Sequence, residues 1–280
     1  MPEVPSIIDI GREFRNSNSG FFRSLPGFIV RRIEKLICQD EINAAIFRSR
    51  DKTGVPFIND ILEGWNVNVE IAGIENIPTV GRFIFASNHP VGGLDALAFY
   101  SLIYRFFPDV KSPTNELLGR IPNLRPVMLA INVFGRNTRE VALKLEELFE
   151  SDSQIMIFPS GEVSRRKNGI ISDPVWQKSF VAKAVQYKRD IIPVYISGRN
   201  SNLFYLIASL RKNLGIKMFA ESLLLPREMM NQRNSTVTLT VGELIPWQSL
   251  TPEKSHAEWA QHIKQLVYNM SIAPEEPNKK

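Results

Sequence analysis

The stretch 83–95, Phe-Ile-Phe-Ala-Ser-Asn-His-Pro-Val-Gly-Gly-Leu-Asp, restricts the fold more than any other part of the chain. Phe83, Ile84, Phe85 and Ala86 form a short apolar run of strand-forming residues, which Pro90, Gly92 and Gly93 end at once. This pattern predicts a buried strand over 82–87, a tight turn, and a helix over 94–107. It sets His89 at the carboxyl end of a strand and Asp95 at the start of the following helix. In open α/β sheets that rim is where ligands bind.

The rest of the chain repeats the alternation. Strands are predicted near 66–72, 126–132, 154–158, 191–196 and 235–242, with helical patterns over 138–150, 176–188 and 253–271. Alternating strands and helices imply a largely parallel sheet covered on both faces. The fold expected is therefore α/β: a single domain over 65–280 with a mostly parallel sheet flanked by helices, preceded by an N-terminal helical extension over 1–64. A chain of 280 residues that is 44% hydrophobic can fill such a core. No internal repeat or low-complexity linker divides it.

Histidine titrates nearest neutral pH and suits the removal of a proton from an attacking hydroxyl or amine. A carboxylate on its other ring nitrogen fixes the tautomer and stabilises the imidazolium as it forms. The simpler alternative is a strand-end histidine bonded to backbone, with Asp95 favouring the positive end of a helix. The chain holds only three histidines, and His256 and His262 fall in a polar C-terminal helical pattern. No His/Cys cluster has metal-ligand spacing, so no metal is expected. The single cysteine, Cys38, forms no intramolecular disulfide and fits a reducing compartment. The absence of Gly-x-Ser-x-Gly argues against a serine esterase.

Three further apolar runs meet glycine, proline or charge: Val133-Phe134-Gly135-Arg136, Ile155-Met156-Ile157-Phe158-Pro159-Ser160-Gly161-Glu162-Val163-Ser164-Arg165, and Ile191-Ile192-Pro193-Val194-Tyr195. Together with the first block and in this order, they resemble the bacterial glycerophospholipid (lysophospholipid) acyltransferase family. That family has an Asn-His motif with a downstream Asp, and later Phe-Pro-x-Gly with nearby charges. The resemblance covers roughly residues 65–250. Two departures mark a branch. Five residues, 90–94, separate His89 from Asp95 where four are usual, the extra one falling in the glycine turn. Ser160 stands where most members carry glutamate, and the acid is Glu162 instead, so that glutamate's role does not pass to Ser160. With Trp176 and the segment 198–205, these features are similar to a hemolysin-like branch that includes lyso-ornithine and lyso-glycine lipid O-acyltransferases.

The resemblance implies transfer of a fatty acyl group from a thioester to a hydroxyl of a lysolipid, with His89 as base and Asp95 as its partner. It implies no bound cofactor; an acyl carrier protein or coenzyme A thioester is the donor substrate. It assigns Arg136 to the anionic head group of the acceptor, a task that guanidinium geometry suits. Gly161, Glu162 and Arg165 either join in head-group binding or form a turn with a local ion pair. The glycine turn can offer N–H groups to a developing oxyanion or serve only as a turn. Cys38 lies far from the blocks, so a direct transfer is expected rather than a covalent enzyme intermediate. A lyso-aminolipid is the first choice of acceptor and lysophosphatidic acid the second. A non-catalytic lipid-binding protein on the same scaffold is the competing class.

No apolar run reaches the ~18 residues needed to span a bilayer, and the amino terminus has no signal-peptide pattern. A peripheral protein on the cytoplasmic face of a membrane is expected. Over 24–37, Leu25, Phe28, Ile29, Ile33 and Leu36 recur at helical spacing among Arg31, Arg32 and Lys35. That helix suits either an anionic lipid surface or packing on its own domain. The segment 203–225 is a second such candidate. Basic residues gather over 163–189, a stretch that can meet anionic lipid or an acidic carrier protein, or simply face water. No nucleic-acid-binding module accompanies the charge, so no nucleic-acid partner is expected.

Overall fold

The computed structural model describes residues 7–16, 20–115, 121–131, 138–213 and 220–271. Its strands are β1 (Asn68–Ala72), β2 (Phe83–Ser87), β3 (Val110–Asn115), β4 (Met128–Ile131), β5 (Gln154–Ile157), β6 (Arg165–Lys167), β7 (Ile170–Ser172), β8 (Asp190–Ile196) and β9 (Thr236–Val241). Its helices are α1 (Ile10–Asn16), α2 (Gly20–Arg23), α3 (Gly27–Leu36), α4 (Gln39–Arg48), α5 (Gly54–Gly64), α6 (Gly93–Tyr104), α7 (Arg139–Glu150), α8 (Ser179–Tyr187), α9 (Asn202–Asn213), α10 (Leu225–Met230) and α11 (His256–Asn269).

Seven strands form one sheet in the order β1-β9-β8-β2-β5-β3-β4, and β6 and β7 form a separate hairpin. All neighbours in the large sheet are parallel except β8 and β9. The α/β class and the mostly parallel sheet are those expected from the sequence.

β2 occupies the centre, and its side chains show why. Phe83 and Phe85 enter the core layer under α4, α5 and α6, while Ile84 and Ala86 enter the layer under α7, α8 and α11. Every residue of β2 is buried, as a strand covered on both faces requires. Full burial of such an aromatic or aliphatic side chain contributes ~1.5–3 kcal/mol. Immediately after the turn, α6 is buried from Leu94 to Ile103, because α5 and α10 pack on it in addition to the sheet. A helix apolar all round is stable only in such a setting.

Helices α4 and α5 contribute Ile42, Ile46, Val55, Phe57, Ile58 and Ile61 to the same core as β2 and α6. Farther toward the amino terminus the packing thins. No residue of α3 is fully buried, and Phe28 is 64% exposed. α3 rests on α1 and α4, with Val30 against Gly11, and leaves Phe28, Leu36, Arg31, Arg32 and Lys35 outward. Among the described residues no helix is long and apolar enough to cross a membrane.

The basic stretch 163–189 is not one face. Lys167, Lys178 and Lys188 are exposed, but Lys183 pairs with Glu146 on α7. Arg189 is wholly buried, donating through Nε to the Phe149 carbonyl and through Nη1 to that of Ser153, with Nη2 on Ser151. Burial, helped by the nearby Arg82 charge, pulls its pKa down to about 10.

Candidate active site

The carboxyl ends of the parallel strands β8, β2 and β5 meet at one rim, and the first sequence block crosses it. Asn88 extends the ladder past the end of β2: its Nδ2 donates to the Ile196 carbonyl at 2.8 Å, and its Oδ1 accepts from Ile196 N–H at 2.7 Å. This clamp fixes where the chain leaves the sheet, so His89 starts from a defined point. The turn then doubles back through Gly92, whose φ of +118° is strained for any other residue. A Cβ there would also meet Leu225 Cδ2 at 3.3 Å.

The turn brings the two ends of the block together. His89 Nδ1 lies 3.0 Å from Asp95 Oδ2. The same oxygen accepts the N–H groups of Val91 and Gly92, each at 2.8 Å. Asp95 is 1% exposed, a setting in which a carboxylate needs several donors. The five intervening residues are thus accommodated by the glycine turn. The Gly92 N–H, one of the oxyanion donors the turn had offered, points inward to Asp95 instead.

An acceptor oxygen at Nδ1 selects the Nδ1–H tautomer and leaves the lone pair on Nε2. Among the described residues Nε2 makes no hydrogen bond, and the His89 side chain remains 18% exposed. The ring stacks on Phe158 at the end of β5, with centroids 4.0 Å apart and planes 18° from parallel. Phe158 packs in turn on Phe99 of α6. One imidazole face is therefore apolar, one nitrogen is tied to a buried carboxylate, and the other faces outward. This arrangement can remove a proton from a hydroxyl and return it.

The third block runs beside the first. Ser164 N–H donates to the His89 carbonyl at 2.7 Å. Gly161, with φ +66°, closes a turn in which its N–H bonds the Phe158 carbonyl. Arg165 reaches Glu162 at 3.2 Å and Glu221 at 3.3 Å, and its guanidinium lies over Phe204. Glu221 is wholly buried and also meets Arg211 at 2.8 Å. Arg136 lies outside the described residues. The structure therefore joins His89 to Asp95 and Arg165 to Glu162, and brings both pairs to one rim.

Sequence reasoning did not single out Glu221 or Asp173. The only signal for Asp173 was its isolation as an acid within a basic stretch, and nothing marked Glu221. Among the described residues no three His, Cys, Asp or Glu side chains converge as metal ligands. Around the rim, burial raises the hydroxyl pKa of Tyr268 above its ordinary range, and burial likewise raises that of Tyr205. Burial lowers the Lys264 ammonium.

Fold and rim together define an α/β protein with a histidine–carboxylate pair at the carboxyl ends of parallel strands, and comparison with known proteins names its family. The chain belongs to the Acyltransferase family, which matches residues 13–273, and it is an acyltransferase. It is 39% identical over 265 residues to a lyso-glycine lipid O-acyltransferase of Bacteroides thetaiotaomicron, covering 94% of this chain and 97% of that one. A lyso-glycine lipid O-acyltransferase of Phocaeicola vulgatus is 38% identical over 265 residues, covering 94% and 95%. The crystal structure of the 1-acyl-sn-glycerophosphate (LPA) acyltransferase PlsC from Thermotoga maritima aligns with a TM-score of 0.43 and 16% identity, covering 88% of this chain and 94% of that one.

Proposed function

We propose that this acyltransferase moves a fatty acyl group from an acyl-thioester to the hydroxyl of a lysolipid, preferably a lyso-aminolipid such as a lyso-glycine lipid. Near-full-length similarity to the two lyso-glycine lipid O-acyltransferases supports the acceptor. The observation that carries the mechanism is the His89–Asp95 pair at 3.0 Å with Nε2 turned outward. Nε2 takes the acceptor hydroxyl proton as that oxygen bonds to the thioester carbonyl carbon. The tetrahedral adduct collapses by breaking its C–S bond, and the imidazolium returns the proton to the leaving thiolate. Asp95 keeps the tautomer and stabilises the imidazolium between the two steps.

Arg165, and Arg136 by the family resemblance, supply positive charge for the acceptor head group. Glu162 is the more exposed of the two carboxylates on Arg165, so it is the one an incoming anion displaces. The donor is an acyl carrier protein or coenzyme A thioester, and no resident cofactor is required. The enzyme works peripherally at the cytoplasmic face of a membrane. Two features support that placement: the basic outer side of α3 beside exposed Phe28, and α9, whose Leu203, Leu206 and Leu210 are exposed opposite buried Phe204, Tyr205 and Ala208.

The test offers purified enzyme both thioester types with lyso-glycine lipid, lyso-ornithine lipid and lysophosphatidic acid, and identifies products by mass spectrometry. Diacyl aminolipid is the expected product. Product from lysophosphatidic acid alone would overturn the acceptor assignment while leaving the chemistry standing.

A further inference from the structure

We propose that Asp173 is a positioning residue for the acyl-transfer reaction, holding the peptide of His89 so that the imidazole meets the acceptor hydroxyl in register. The inference rests on the reading of His89 as the base. Asp95 fixes the ring, but a ring can be aimed only as well as the backbone that carries it.

Asp173 lies in the irregular segment between β7 and α8 and is 4% exposed. Its Oδ1 accepts the backbone N–H of His89 at 3.2 Å and the Ser164 hydroxyl at 2.6 Å. Its Oδ2 accepts Trp176 Nε1–H at 2.9 Å. Ser164 N–H meanwhile holds the His89 carbonyl at 2.7 Å. The main chain of His89 is therefore gripped at both polar atoms, once by Asp173 and once by a serine that Asp173 orients. A strand-end N–H at an open rim can be satisfied by water, whereas here a buried carboxylate occupies that place.

The main chain of Asp173 is itself anchored by helix α11. Lys264 Nζ donates to the Asp173 carbonyl at 2.6 Å, and Tyr268 Oη accepts the Asp173 N–H at 2.7 Å. Gln261 Nε2 holds the Trp176 carbonyl at 2.8 Å, and Trp176 is buried against α8. Through this segment α11 reaches the base without touching it. Asparagine at 173 offers one acceptor and one donor group, so either Trp176 or the Ser164–His89 pair would face a donor. The His89 peptide then loses a fixed partner, and a displacement of about 1 Å costs up to about 100-fold in rate.

The experiment compares wild type, His89→Ala, Asp173→Asn and Ser164→Ala in the full-length enzyme. It measures kcat and KM for the lysolipid, thermal midpoints, and ring 15N resonances, which three histidines make assignable. Asp173→Asn is expected to lower kcat about tenfold or more with KM held within about twofold, and to move the His89 resonances while those of His256 and His262 stay. Ser164→Ala, which keeps the carboxylate, is expected to do the same to a smaller extent, and it decides the matter if Asp173→Asn does not fold. Wild-type kcat, a loss seen only in KM, or unmoved His89 resonances would overturn the proposal. An active His89→Ala enzyme would instead overturn the assignment of the base, so the two failures are distinct.

Discussion

Replacing Asp95 by asparagine separates charge from geometry at this site. All three donors, His89 Nδ1–H and the N–H groups of Val91 and Gly92, converge on the single atom Oδ2. An asparagine with its amide oxygen in that place keeps every one of those bonds. Its NH2 group then falls where Oδ1 is now, an atom that is buried and has no hydrogen-bond partner among the described residues. One unpaired atom replaces another, so folding changes little. The attraction between carboxylate and imidazolium is lost. For unit charges roughly 4 Å apart at an effective dielectric constant of about 20, that attraction is about 4 kcal/mol. About half of it is expressed if the proton is half transferred in the transition state. At about 1.4 kcal/mol per factor of ten, kcat should fall between about 30-fold and 1,000-fold. Thiol release at saturating acceptor and thioester measures it, with urea denaturation confirming equal stability. Activity within about threefold of wild type would refute the electrostatic role of Asp95. Asp95→Ala should in addition destabilise the fold by about 1–3 kcal/mol for each of the two orphaned N–H groups.

Other residues carry predictions of a different kind. Gly92→Ala places a side chain at φ +118° and against Leu225, and should cost about 1–3 kcal/mol in urea denaturation together with most of the activity. Arg189→Met strips hydrogen-bond donors from the carbonyls of Phe149, Ser151 and Ser153 and should lower stability by about 3 kcal/mol or more, read from the urea midpoint. The bonds from Lys183 and then Tyr187 hold the Glu146 pKa below the ordinary carboxylate range. A depressed folded-state pKa stabilises the protein above the unfolded-state value, and that contribution fades as pH falls through the folded one. Glu146→Gln should therefore be less stable than wild type near pH 7, with the difference shrinking below about pH 4.

The central unit was legible in the sequence because its determinants are local. Residues 83–86 are apolar on both faces of the strand, and the proline and glycines mark the turn, so β2 and α6 fall close to the expected 82–87 and 94–107. The same holds for β1, β4, β5, β8 and β9, each within a few residues of its predicted range. β3 escaped notice because Val110 is its only large apolar residue and Pro113 interrupts it. Pairing with β4 and β5 makes it a strand, and that information lies elsewhere in the chain. The basic β6–β7 hairpin was hidden for a similar reason: Ile171 and Phe204 meet only in the folded protein. Helix α8 starts at Ser179 rather than 176 because Trp176 is bonded to Asp173 and α11 holds both residues in the irregular segment before it. The local strand–turn–helix pattern offers the His89–Asp95 pair only as one of two readings, and the family resemblance favours it, whereas the grip of Asp173 on His89 spans 84 residues and no local pattern encodes it.

The most direct test of the account is the rate of acyl transfer to lyso-glycine lipid by folded His89→Ala protein. A base placed by a buried carboxylate contributes about 10²–10⁴-fold, so the variant should lose activity by that factor at unchanged thermal midpoint. A folded His89→Ala enzyme that keeps more than about a third of the wild-type rate would contradict it.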